Sequence, residues 1–168
     1  CIDRTQRAAC NARGDCMTTP QTVVILGGGL AGLSLAIQLR REIADVDVLV
    51  LERRRDPVPA ATHKIGESTV EIGANYFETV LGLKEHLTTR QLKKFGFRFF
   101  FSEGPSDVDA TLELGASRLL ATPAYQLDGG IFENFLGEHA RGLGVRFIDG
   151  AVVRTAELGV ADAEHRVV

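Results

Sequence analysis

Gly27, Gly29 and Gly32 are spaced as G-x-G-x-x-G, and Glu52 follows twenty residues after the last of them. These types at this spacing address a dinucleotide. The first glycine allows a sharp turn out of a strand. The second lets a phosphate oxygen approach bare backbone, and the third lets a helix pack tightly on the strand. Leu30 and Ala31 lie at the start of that helix, where free N–H groups and the helix dipole make an anion site. Glu52 stands where a carboxylate accepts hydrogen bonds from an adenosine ribose, and a carboxylate there disfavours a 2′-phosphate. Arg53, Arg54 and Arg55 follow directly. They form either a solvated charged loop or a place where one arginine, Arg53 first among them, meets the cofactor.

The elements that must position these residues are legible around them. Thr22–Leu26 is an apolar, β-branched run, as expected of a strand buried on both faces of a parallel sheet. The periodicity predicts a helix from Leu30 to Glu42, with Leu35, Leu39 and Ile43 as its stripe and Ala36 beside it. Arg40 and Arg41 fall in its last turn, where positive charge suits the dipole. Asp47–Leu51 is the second strand and ends at Glu52.

A second group begins after a loop broken by Pro57 and Pro59. In Lys64-Ile65-Gly66-Glu67-Ser68-Thr69-Val70-Glu71, Ser68 and Glu71 have the spacing of a capping box. A helix is expected from Thr69, with Val70, Ala74, Phe77 and Leu81 as its stripe and Gly82 as its stop. Lys64 precedes Gly66 in a turn leading to a helix N-terminus. An ammonium beside exposed N–H groups makes a pocket for an anion, or for an oxygen-bearing intermediate.

Composition bounds the rest. At 168 residues the chain suits one domain, and a net charge of −3 gives no reason to expect nucleic acid or an anionic membrane as partner. No apolar run approaches the length of about 20 residues that spans a bilayer. The basic stretch Lys84, His86, Arg90, Lys93, Lys94 and Arg98 reads as a solvated helix face. All three cysteines lie in residues 1–16, before the single methionine, Met17. Residues 1–20 are expected to be a disordered leader, with Met17 a natural start. No His/Cys spacing suggests a metal. His63, His86, His139 and His165 show no catalytic grouping. Phe95–Phe101 is expected to be one strand with packed aromatics. Gly144–Ile148, Ala151–Leu158 and Gly159–Val168 are expected to be further strands, the last of them cut short.

Together these residues resemble the flavin-dependent halogenases of the FAD monooxygenase superfamily. Three stretches carry the resemblance: Gly27-x-Gly29-x-x-Gly32 with Glu52; Lys64-Ile65-Gly66-Glu67-Ser68, similar to a K-x-G-E-[AS] segment; and Tyr125-Gln126-Leu127-Asp128 before a helix Ile131–Arg141, similar to a Q-x-D-R-x-x-F/L segment. Gly129 stands where that last segment carries arginine, and Asp128 has its own reading as a helix cap. The W-x-W-x-I-P and later G-D segments of the family do not occur.

The resemblance implies an α/β, Rossmann-like FAD-binding domain over 21–168, incomplete, with residues 95–125 an excursion that begins a β-rich substrate domain. It implies FAD held by Gly27, Gly29, Leu30, Ala31, Gly32, Glu52, Arg53, Gly66, Glu67, Ser68, Gln126 and Val153. It further implies that reduced FAD, oxygen and halide give hypohalous acid, which Lys64 relays to a small aromatic substrate, free or carrier-bound. A separate flavin reductase would supply FADH2, and the enzyme would be cytoplasmic. Two other readings stay open: an FAD monooxygenase or geranylgeranyl-reductase-like enzyme, and an inactive nucleotide-binding fragment.

Overall fold

The computed structural model describes residues 21–60, 67–101, 107, 109, 111–115, 118, 121–157 and 166–167. Its centre is a parallel sheet of three strands, β1 (Gln21–Leu26), β2 (Val46–Leu51) and β7 (Arg146–Ile148), in the order β1-β2-β7. Val23 pairs with Val48 and Ile25 with Val50, while Leu49 pairs with Arg146. Two long helices, α1 (Leu30–Glu42) and α4 (Gly129–Gly142), pack together over this sheet.

Alternation decides which face is covered. Val46, Val48 and Val50 of β2 are buried with Ile25, Leu33, Ala36, Ile37, Leu136, Ala140 and Val145 in one core. The intervening side chains face the other way, and there Val24, Leu26 and Ile148 are exposed. An ion pair between Arg146 and Asp47, 2.5 Å apart, spans that side. The expectation of a first strand buried on both faces is therefore corrected: the described elements cover one face only. The helix stripe is corrected too. In α1 the buried side chains are Leu33, Ser34, Ala36 and Ile37, whereas Leu35 and Ile43 are exposed. The sheet lies under the Leu33–Ile37 line, which follows the same spacing of four as the line through Leu35 but on a different face.

The middle of the chain is a run of short elements: α2 (Glu71–Asn75), a wider i→i+5 turn over Tyr76–Val80, α3 (Lys84–Arg90), β3 (Leu92–Lys94), β4 (Arg98–Phe101), β5 (Leu112–Gly115) and β6 (Ala124–Gln126). The Leu81 N–H bonds back to the Tyr76 carbonyl at 3.1 Å, which marks the wider turn. Strand β3 pairs with β6 and β4 with β5, both antiparallel. A last pair, β8 (Ala156–Glu157) with β9 (Arg166–Val167), matches the expected terminal hairpin in place though not in length.

Three further expectations change here. The helix expected from Thr69 starts at Glu71, and no side chain caps it. Ala74, Phe77 and Leu81 of its stripe are buried, but Val70 is exposed. Phe95–Phe101 is not one strand: Gly96, at φ +109°, separates β3 from β4. Phe95, Phe97, Phe99, Phe100 and Phe101 all stay more than half exposed, so they do not fill the described core. The basic stretch 84–98 is likewise no single helix face, because it runs through α3, β3 and β4.

Candidate functional site

Gly27 takes φ +112°, a region that L side chains rarely adopt, and its N–H donates to the Leu51 carbonyl at 2.8 Å. The turn is thereby tied to the end of β2, one residue before Glu52. Gly32 is fixed by space: a Cβ there would overlap the Gly27 carbonyl oxygen. The third glycine therefore sets how closely α1 approaches the turn, as its spacing led one to expect.

Glu52 is buried at the mouth of this turn. Its Oε2 accepts the Gly28 N–H at 2.6 Å, and its Oε1 accepts the Arg54 N–H at 2.8 Å and Arg54 Nε at 3.2 Å. Burial pushes the Glu52 carboxyl up, but the N–H groups of Arg54 and Gly28 and the Arg54 guanidinium outweigh it and hold it below the usual carboxylate range. The group is an ionised acceptor at neutral pH. A carboxylate offers about four lone-pair sites, so three bonds leave room for a hydroxyl.

The start of α1 is open. Leu30, Ala31 and Gly32 are the positions whose N–H groups a helix leaves without an intrahelical acceptor. Gly29, just before them, contributes no side-chain cap, and the first turn holds no acidic residue. A Cβ built on Gly29 would meet nothing nearer than Glu133 Oε1, at 3.5 Å. The protein's own packing therefore leaves a methyl's worth of space at Gly29, beside unclaimed donors. That is a cradle suited to a diphosphate.

The loop after Glu52 closes one side of the crevice. Arg53 and Arg55 are exposed, while Arg54 is half-buried and turns inward. Its Nη2 lies 3.4 Å from Glu133 Oε2 on α4. Asn134, next in the helix, accepts the Val58 N–H and donates to the Val58 carbonyl, both at 2.8 Å. Asp149 accepts the Asp56 N–H at 3.1 Å, and Arg141 pairs with Asp56 at 2.7 Å. Beyond β7 the chain returns to the crevice: the Gly150 N–H donates to the Arg54 carbonyl and the Ala151 N–H to the Glu52 carbonyl. Val153 follows two residues later, half-buried. Glu133, Asn134 and Asp149 were missed from sequence because no motif marks them; only their shared loop partners reveal them.

The second group converges on the start of α4. Asp128 caps that helix, its Oδ1 accepting the Ile131 N–H at 2.9 Å. Glu67 Oε1 accepts the Gly129 N–H at 2.9 Å, and the Glu67 carbonyl accepts the Leu127 N–H. Ser68 bridges to Gln126 in an antiparallel pair, and Gln126 is half-buried in β6. The capping-box reading of Ser68 is corrected: its Oγ takes a hydrogen bond from Lys94 Nζ, which also donates to the Thr69 carbonyl at 2.7 Å and lies over the Phe97 ring. Strand pairing with Gln126 holds Ser68 extended and three residues short of the helix, out of reach of its N–H groups. Lys64 and Gly66 lie outside the described residues.

Helix α4 joins the two groups. Gly129 meets Glu67 and, one turn on, Glu133 meets Arg54. A Cβ on Gly130 would overlap the Pro59 carbonyl, so the proline loop lies directly on the helix start. His86 and His139 both stack on Phe135, with ring centroids 3.8 and 5.8 Å away. They belong to the packing around α4. Among the described residues, no cluster of His, Cys, Asp or Glu could hold a metal ion. No described helix is long and apolar enough to cross a membrane.

Comparison with known proteins agrees with this fold. Residues 25–92 match the family model of the NAD(P)-binding Rossmann-like domain. In sequence the chain is 31% identical over 114 residues to the flavin-dependent halogenase chlA of Dictyostelium discoideum, covering 63% of this chain and 19% of that protein. In structure it resembles CmlS, a flavin-dependent halogenase, with a TM-score of 0.64 at 22% identity over 90% of this chain and 28% of that one. It also resembles the halogenase PltM, solved with phloroglucinol and FAD, with a TM-score of 0.64 at 17% identity over 90% of this chain and 32% of that one. The chain thus spans about a fifth of the curated relative and about three tenths of the solved structures.

Proposed function

We propose that this chain, a Rossmann-like domain homologous to a flavin-dependent halogenase, is the FAD-binding part of a halogenase-like FAD-dependent oxidoreductase. One observation carries the reading above the others. The uncapped start of α1, opened at Gly29, faces a buried and ionised Glu52 held 2.6 Å from the Gly28 N–H. Helix donors for a diphosphate and an acceptor for a ribose then lie on two sides of one crevice.

Bound there, reduced FAD would supply the oxygen and halide chemistry of the halogenases. The chain's own residues do the holding. The N–H groups of Leu30, Ala31 and Gly32 receive the diphosphate, Glu52 orients the ribose, and Gly150 and Ala151 bring the following segment, with Val153, toward the adenine end. Glu67 braces the start of α4 through Gly129, with Ser68 and Gln126 bridged beside it, and Gly66 and Lys64, which precede them in sequence, are assigned to the flavin side. Lys64 is the residue assigned to activate the halogenating species toward a small aromatic substrate, free or carrier-bound.

The same reading makes a separate flavin reductase the source of FADH2 and the cytoplasm the place of action. It makes residues 95–125 the beginning of a substrate-facing sheet. The exposed phenylalanines of the β4–β5 ribbon support that last assignment.

The test is calorimetric titration of the purified chain with ADP and with FAD. Both should bind, and ADP should compete for the adenosine half of the site. A folded chain that takes up neither overturns the proposal.

A further inference from the structure

We propose that Glu133 sets this crevice for an adenosine ribose with a free 2′-hydroxyl, by holding Arg54 away from service as a 2′-phosphate partner. The inference rests on the dinucleotide reading above and goes beyond it, to what the site rejects.

Three consecutive arginines after an acidic strand end make an ambiguous pattern. The acid favours a free ribose diol, whereas an arginine beside it can accommodate a 2′-phosphate. The structure resolves which arginine matters. Arg53 and Arg55 are exposed, whereas Arg54 is half-buried and is the one paired with both Glu52 and Glu133. Its Nε lies 3.2 Å from Glu52 Oε1 and its Nη2 lies 3.4 Å from Glu133 Oε2. The fork that could grip a phosphate in bidentate fashion is spread between two carboxylates. Glu133 is itself buried, so its charge is poorly screened by solvent. A phosphate arriving beside Glu52 would have to displace Arg54 from Glu133 and leave a buried carboxylate without that cation.

Asn134 makes the arrangement firm. Its paired hydrogen bonds to Val58 clamp the loop carrying Arg54 against α4, so Glu133 and Arg54 are held in register. Glu133 is in this sense a positioning residue, acting on the ligand through Arg54.

The experiment measures the dissociation constants of ADP-ribose and of 2′-phospho-ADP-ribose for the wild-type chain, for Glu133→Gln, and for Glu133→Gln combined with Arg54→Gln. The wild type should prefer ADP-ribose by about tenfold or more, and Glu133→Gln should narrow that preference by roughly fivefold or more. Adding Arg54→Gln should restore the preference, because the phosphate then has no freed guanidinium to meet. A loss of packing alone would weaken both ligands together and leave the ratio unchanged. Should Glu133→Gln not fold, Glu133→Asp carries the same test with a smaller narrowing, since it keeps the charge but shortens its reach. An unchanged ratio in a folded variant, or a narrowed ratio that Arg54→Gln does not reverse, overturns the proposal. Failure of the wild type to bind either compound overturns the dinucleotide reading itself, and this inference with it.

Discussion

Glu52 accepts the Gly28 N–H at 2.6 Å across twenty-four residues of sequence, so the end of β2 is bonded directly to the turn that follows β1. This bond fixes the width of the crevice before any ligand arrives. Exchanging the carboxylate for an amide turns one oxygen into a donor facing N–H groups. Glu52→Gln should cost about 1–3 kcal/mol in urea denaturation at pH 7, the range for a buried hydrogen bond to a charged group. The pH dependence has a definite sign. The folded carboxyl titrates below its ordinary value, so its contribution is complete above that value and lost as the pH falls through the folded one. Wild type and Glu52→Gln should therefore converge in stability in acid, below about pH 4.

The two glycines at the start of α1, Gly29 and Gly32, separate folding from binding. A Cβ at Gly32 meets the Gly27 backbone, which cannot move aside without dismantling the turn. Gly32→Ala should destabilise the chain by on the order of 3 kcal/mol or more. A Cβ at Gly29 meets nothing closer than 3.5 Å. Gly29→Ala should melt close to wild type yet weaken ADP binding by about tenfold or more, because the methyl occupies the diphosphate's approach. Calorimetric melting and ADP titration of both variants would check this contrast.

Why some of this was legible and some was not follows from the range of the interactions. Gly27, Gly32 and Glu52 answer to local demands, a turn conformation, a close approach and a strand end, so type and spacing suffice. The buried line of α1 was misread because several lines at helical spacing are apolar, and only the sheet decides that Leu33 and Ile37 face inward and Leu35 outward. Ser68 looked like a cap because Glu71 stands three residues on. Pairing with Gln126, fifty-eight positions away, holds it elsewhere. Glu133 and Asn134 carry no motif, and their importance appears only once the loop after Glu52 lies against α4.

The histidines predict a second pH effect in a separate window. Gln91 Oε1 accepts the Asp128 N–H at 2.7 Å, which turns the amide nitrogen toward His86 Nε2 at 3.1 Å. His86 must accept there, so it is the neutral tautomer with its proton on Nδ1. Burial, then the nearby Arg90, lowers the His86 pKa; burial, then Arg41, lowers that of His139. The neutral forms belong to the folded state. Their contribution is complete above the ordinary histidine value and is lost as the pH falls through the folded values. Urea stability should decline from about pH 7 toward pH 5, and His86→Leu with His139→Leu should flatten that decline. A wild-type profile flat across this interval would contradict it.

Lys64 supplies the test of chemistry as distinct from binding, and it needs the complete polypeptide. The proposal assigns it to the flavin side; in sequence it stands three positions before Glu67, which is bonded to the start of α4. The adenosine half of the site, at Gly29 and Glu52, is built from different elements. Lys64→Ala should leave FAD affinity within about threefold of wild type, because the proposal assigns the diphosphate and the ribose to other residues. Halogenated product should fall below detection by mass spectrometry, since the proposal makes Lys64 the relay to the substrate. Loss of FAD binding would make Lys64 a cofactor ligand instead. Product formation at an undiminished rate would remove it from the reaction.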